Sequence, residues 1–131
     1  MSKVGVVGSG ALARAVSARL LEFGEPVLVW GPDDEGVSEC VRAGAAKAAT
    51  PAEVASKSEF LIVAASDEAQ SQSWHTGDHG VVQGILEGAV VIDMTTLSPA
   101  MAHRLARACG EAGGAYLDSP VSLSLASQFR Y

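Results

Sequence analysis

Residues 4–16 read VGVVGSGALARAV: a β-branched apolar run meets Gly8-Ser9-Gly10-Ala11-Leu12-Ala13, and the chain then continues at helical spacing. Gly8 permits a tight strand-to-helix turn, and Gly10 lets the backbone approach an anionic group. The small Ala13 lets helix and strand pack closely. A helix opening here presents free N–H groups and the positive end of its dipole to whatever lies in front of it. The stretch predicts a strand, a pyrophosphate-accepting turn and a helix.

Outward from this turn, short apolar runs alternate with alanine- and leucine-rich segments. KVGVVG (3–8), PVLVW (26–30), EFLIVAA (59–65) and AVVIDM (89–94) read as strands buried on both faces, with AAKAA (45–49) and AYLD (115–118) as weaker ones. Leu12, Val16, Leu20 and Leu21 form one helical stripe, and Leu105, Ala106, Cys109 and Ala112 another. Thr50-Pro51 with Glu53, and Ser98-Pro99, are helix starts. Gly24, Gly44 and Gly113 or Gly114 are helix ends. The expected fold is α/β: a Rossmann-type, doubly wound, mostly parallel sheet of about six strands with helices on both faces.

At 131 residues, with 48% hydrophobic and 18% charged content, the chain makes one compact domain. Nine basic and 15 acidic residues leave a net charge of -6, which argues against nucleic acid or an anionic membrane as partner. Cys40 and Cys109 have no CxxC spacing and read as reduced thiols, without a metal site. No apolar run reaches the ~20 residues of a membrane span or resembles a leader peptide. A cytoplasmic location is expected.

In this fold the end of the second strand discriminates between dinucleotides, through a carboxylate on the ribose or a cation on the 2′-phosphate. Here it reads VWGPDDEG: Gly31 offers no side chain, Asp33 and Asp34 follow late, and no Arg or Lys occurs between Arg19 and Arg42. The acidic cluster favours NAD over NADP, although it also reads as a plain helix start. At two further strand ends, Ala64, Ala65 and Ser66 are small enough for close approach of a cofactor. Thr95, Thr96 and Ser98 supply hydroxyls, with Ser98 a helix cap. For Thr96, a ligand contact and a local turn bond both remain open.

Taken together, residues 3 to about 122 resemble the nucleotide-binding domain of the β-hydroxyacid dehydrogenases, the group of the 3-hydroxyisobutyrate and 6-phosphogluconate dehydrogenases and the related imine reductases. The resemblance is carried by VGVVGSGALARAVSARLLEFGEPVLVW, RAGAAKAATPAEVA, VVIDMTTLSPAMAHRLA and YLDSPVS. It implies that Gly8, Ser9, Gly10, Ala11 and Leu12 bind the pyrophosphate, and that Gly31, Pro32 and Asp33 meet the adenosine ribose. Ala64, Ala65 and Ser66 would flank the adenosine half, Thr96 would approach the nicotinamide ribose, and Ser122 would bind a small-molecule substrate. Departures from the family pattern are Ala13 for the third glycine, Gly31-Pro32 for its Asp or Asn-Arg, Ser66 for a proline, and Leu123-Ser124 for a glycine pair.

The family's catalytic lysine, borne by a later helical domain that also builds the dimer, has no counterpart here. Lys3 and Lys57 lie near strand starts, at the wrong edge of the sheet, and Lys47 is on the short third strand. No catalytic residue is therefore assigned. His75 and His79 read as solvated histidines of a loop after a helix, His103 as a surface group, and Trp30 and Trp74 as core or rim aromatics. The expectation is a dinucleotide-binding domain over 1–118, with 119–131 a truncated substrate-loop segment and tail. The domain would be inactive alone and open to homodimer formation through its sheet edge. Rival readings are a non-catalytic sensing or structural module and a degenerate domain that no longer binds cofactor.

Overall fold

The computed structural model describes residues 4–121. Six strands form one sheet, β1 (Val4–Val7), β2 (Val27–Trp30), β3 (Ala46–Lys47), β4 (Phe60–Val63), β5 (Val90–Asp93) and β6 (Ala115–Asp118). Their order is β3-β2-β1-β4-β5-β6 and every pair is parallel. Between them run α1 (Ala11–Glu22), α2 (Asp34–Arg42), α3 (Pro51–Ser56), α4 (Glu68–Thr76) and α5 (Pro99–Glu111), with a 3₁₀ turn at Val81–Gln83. The chain reverses its direction of winding between β1 and β4, so a crevice opens at the carboxyl ends of these two strands.

The pleat sends alternate strand residues to opposite faces. Val4, Val6, Val27, Val29 and Ile62 pack against Ala13 of α1 and Val37 and Cys40 of α2. On the other face Val7, Leu28, Leu61, Val63 and Val91 meet Val54 and Ala55 of α3, Trp74 of α4, Val81 and Cys109 of α5. Each buried valine or leucine contributes roughly 1.5–3 kcal/mol. Both cysteines are free thiols within these cores.

Helix α1 packs Val16, Leu20 and Leu21 of the expected stripe against the first of these cores, with two smaller residues further in. Its innermost residues are Ala13 and Ser17, whereas Leu12, Val16, Leu20 and Leu21 are half-buried flanks. Small side chains let the helix axis come close to the sheet, and the leucines then seal the margins. In α5 the buried stripe is Met101, Leu105 and Cys109, while Ala106 faces solvent.

The expected helix signals hold. Thr50 Oγ1 accepts from the Glu53 N–H at 3.1 Å, and Ser98 Oγ accepts from the Met101 N–H at 3.2 Å. Gly24, Gly44 and Gly113 take positive φ at the ends of α1, α2 and α5. The outer edge of β6 carries Leu117 at 55% exposure. Among the described residues no helix is long and apolar enough to cross a membrane, and no three His, Cys, Asp or Glu side chains are grouped to hold a metal.

Candidate functional site: a cleft at the carboxyl ends of the strands

The crevice is a cleft of about 450 Å³ bounded by the turn after β1, the β2–α2 loop, the β4–α4 loop and the segment after β5. Its volume falls within the usual range for small-ligand sites, ~300–1,000 Å³. Ser9, Gly10, Ala11, Leu12, Pro32, Asp33, Ala64, Ala65, Ser66 and Thr96 all line it, so one surface unites segments that are far apart in sequence.

Gly8 and Gly31 stand behind this wall rather than on it. Gly8 has φ +139°, and a Cβ there would press on the Ala64 carbonyl oxygen and the Ala13 side chain. A Cβ on Gly31 would collide with the Ser9 side chain. Both glycines let neighbouring segments touch. Gly10 differs: its φ is -74°, and a Cβ there would meet nothing within 4 Å among the described residues. The space over Gly10 is the cleft.

The start of α1 is unlike the other α-helix starts among the described residues. Asp33, Thr50, Asp67 and Ser98 cap α2, α3, α4 and α5 through their side chains. Gly10 cannot, and α1 has no side-chain cap. Its first-turn N–H groups therefore face the cleft with the positive end of the helix dipole. These features, open space at Gly10 and uncapped amides, fit an anionic diphosphate.

Opposite this turn, the β4 and β5 ends are tied together by a buried hydroxyl. Thr95 Oγ1 accepts from the Ala65 N–H at 3.0 Å, and the Thr95 N–H donates to Asp93 Oδ1 at 3.0 Å. Thr95 is thus a buried brace, while Thr96 is exposed toward the cleft. Trp74 also lines the cleft, as a rim aromatic, and so do Gln70, Met94 and Val121, which the sequence does not single out. Trp74 packs edge-on to Trp30, centroids 5.2 Å apart. Ser122 lies outside the described residues.

Behind Thr95 the Asp93 carboxylate is fully buried, accepting from Ser71 Oγ and Tyr116 Oη, each at 2.8 Å. His75 belongs to the same cluster, which overturns its reading as a solvated loop histidine. It lies in the last turn of α4 at 0% exposure, with Nδ1 2.8 Å from the Ser71 carbonyl oxygen. Helix α4 runs on to Thr76 and turns His75 toward the sheet. His79 and His103 are exposed. Lys47 and Lys57 do not line the cleft, and Lys57 pairs with Glu53 at 3.3 Å on the surface.

Comparison with known proteins agrees with this geometry. Residues 3–125 match the family profile described as the NAD binding domain of 6-phosphogluconate dehydrogenase. The cytokine-like nuclear factor N-PAC of Xenopus tropicalis is 32% identical over 120 residues, 92% of this chain and 22% of that protein. The mitochondrial 3-hydroxyisobutyrate dehydrogenase of Mus musculus is 27% identical over 119 residues, 91% of this chain and 36% of the enzyme. A solved structure, Psf3 in complex with NADP+ and 2-OPP, superposes with a TM-score of 0.83 at 29% identity, covering 91% of this chain and 42% of that one. The chain spans well under half the length of each of these proteins. Because that profile matches residues 3–125, nearly its whole length, the chain belongs to the family of the NAD binding domain of 6-phosphogluconate dehydrogenase.

Proposed function

We propose that this chain binds NAD(H) in preference to NADP(H) along the cleft, as the cofactor-holding half of an oxidoreductase for a small hydroxy acid, keto acid or imine. The observation that carries the reading is the start of α1, where uncapped amides face open space above Gly10. In this arrangement Ser9 to Leu12 hold the pyrophosphate, Pro32 and Asp33 meet the adenosine ribose, and Ala64 to Ser66 flank the adenosine half. Thr96 presents its hydroxyl to the nicotinamide ribose. The preference for NAD follows from Asp33 at the rim and from the lack of any Lys or Arg in the lining among the described residues.

A bound nicotinamide supplies hydride, but carbonyl reduction also needs a proton donor within hydrogen-bond reach. Among the described residues the lining offers none suited to that task, so the chain is expected to bind cofactor without turnover. The domain boundary falls near Asp118, with the segment from Ser119 on belonging to the substrate side, where Val121 already borders the cleft. Ser122 follows as the substrate contact. A homodimer would use the outer edge of β6. A reducing, cytoplasmic setting suits the two free thiols.

The same lack of a proton donor favours a second reading, a dinucleotide-sensing module without chemistry. Titration with NADH and NADPH tests the common core, with Gly10→Val as control. A valine there would fill the pyrophosphate space, and unchanged affinity would sink the proposed site. Joining the chain to a helical domain of the 3-hydroxyisobutyrate dehydrogenase type separates the two readings. Redox turnover supports the enzyme, and its absence across a broad substrate panel supports the module.

A further inference from the structure

We infer that Asp33, rather than the first residue after β2, discriminates between NAD(H) and NADP(H), and that Ser9 is the residue that gives it this position. The inference rests on the proposed reading of the cleft as a dinucleotide site. In sheets of this topology the discriminating side chain usually projects from the end of the second strand. Here that position is Gly31, directly after Trp30.

The reason is steric. A side chain at position 31 would run into Oγ and Cβ of Ser9 and come within 3.0 Å of its backbone nitrogen. Ser9 cannot easily give way, because it is 3% exposed and its carbonyl oxygen lies against Gly36 of α2, where a Cβ would not fit either. The Ser9 side chain therefore fills the volume that a residue-31 carboxylate would need. Its hydroxyl also accepts a long hydrogen bond, 3.4 Å, from the Asp33 N–H. The glycine turn after β1 is thus wedged under the β2–α2 loop and fixes its course.

Asp33 is held at both ends of its carboxylate. Oδ1 accepts from the Glu35 N–H at 3.3 Å and Oδ2 from the Gly36 N–H at 3.2 Å. Each carboxylate oxygen keeps further acceptor capacity, which suits the two hydroxyls of a ribose diol. A 2′-phosphate would instead bring its charge beside a carboxylate that is tethered and cannot swing aside. Asp34, which follows as the first residue of α2, does not line the cleft. Of the two acids in this loop, Asp33 is the one that borders the cleft.

The test is a titration of the 131-residue chain with NADH and with NADPH, combined with thermal melting. Asp33→Asn removes the charge and keeps a carbonyl oxygen that can accept from one of the two cap N–H groups. The expected result is at least a tenfold fall in the NADH-to-NADPH affinity ratio, with a fall in melting temperature no larger than the loss of one exposed cap bond produces. Gly31→Asp is expected to lower the melting temperature, and Ser9→Gly in the same chain to restore it. That double variant should keep its preference for NADH even when Asp33→Asn is added, because the carboxylate now stands at the strand end. An unchanged ratio in Asp33→Asn overturns the role of Asp33, and a Gly31→Asp chain as stable as the parent overturns the role of Ser9. Failure of the parent chain to bind either nucleotide overturns the dinucleotide reading and this inference with it, a result distinct from an unchanged ratio.

Discussion

Nε2 of His75 stands 3.9 Å from Oδ2 of Asp93, both side chains are wholly buried, and Nε2 has no hydrogen-bond partner among the described residues. The Ser71 carbonyl oxygen, 2.8 Å from Nδ1, can only accept, so Nδ1 carries the proton and Nε2 presents a bare lone pair. Two acceptors thus face each other inside the protein. The carboxylate is satisfied instead by Ser71, Tyr116 and the Thr95 N–H. This places a charged cluster directly behind the cleft wall formed by Thr95 and Thr96.

Burial holds the His75 pKa below its ordinary value of ~6.5. The unfolded chain therefore takes up this proton first. The contribution to stability is fully present above pH ~6.5 and is lost as pH falls toward the folded-state pKa, with a slope of up to ~1.4 kcal/mol per pH unit. Urea denaturation at a series of pH values between 7 and 5 should show that slope in the parent chain and a flatter one in His75→Gln. Equal slopes would remove His75 as the cause. Glu53 and Glu68, whose carboxyls are held down by the Ala49 and Ser98 N–H groups, act only at lower pH.

Tyr116 ties β6 to Asp93 of the neighbouring β5. Burial, followed by the Asp93 charge and hydrogen bond, pushes its phenol well above the ordinary range, so it remains a donor. Tyr116→Phe should destabilise the chain by ~1.5–3 kcal/mol, the usual worth of a hydrogen bond to a charged group. Amide exchange should then quicken in Ala115–Asp118 before it quickens in β1 or β4. Uniform acceleration would argue against a local tie.

The two glycines of the β1 turn should separate folding from binding. Gly8→Ala puts a side chain at φ +139° against the Ala64 carbonyl, with a backbone strain of ~1–3 kcal/mol in addition to the clash. Gly10→Ala should cost no more than ~1 kcal/mol, the difference between glycine and alanine at a helix N-cap, while weakening dinucleotide binding. Melting and NADH titration of both variants check this, and the reverse pattern would contradict the assignment.

Thr95→Val keeps the shape of the brace but leaves the Ala65 N–H without its acceptor. The expected loss is ~1–3 kcal/mol, the cost of an unsatisfied buried group. Thr95→Ser, which retains the hydroxyl, should recover most of it in the same denaturation experiment. Equal behaviour of Val and Ser would show that the methyl group, not the oxygen, matters.

Strands β1, β2, β4 and β5 are legible in the sequence because burial on both faces demands continuous apolar runs, and the glycine turn announces the cleft. The inner face of α1 is not legible, since close packing selects Ala13 and Ser17 over the more conspicuous leucines. His75 was misread for a related reason. What makes its burial tolerable is the Ser71 carbonyl oxygen one turn back, which accepts the Nδ1 proton. The available signal was Asp93 itself, an acid closing the apolar run VVID in register with buried Val91. Ser9 was equally hidden as a wedge, because its partners Gly31 and Gly36 lie on a different segment.

The uncapped start of α1 also marks a conflict between durability and purpose. A serine at position 10 would be sterically free, because nothing among the described residues lies within 4 Å of a Cβ there. It would supply the missing cap, worth typically ~1 kcal/mol elsewhere and less against the glycine it replaces. The same hydroxyl would occupy the amides that the cleft presents. Greater durability and an open anion site are thus alternatives at this one position, and the glycine leaves the site open.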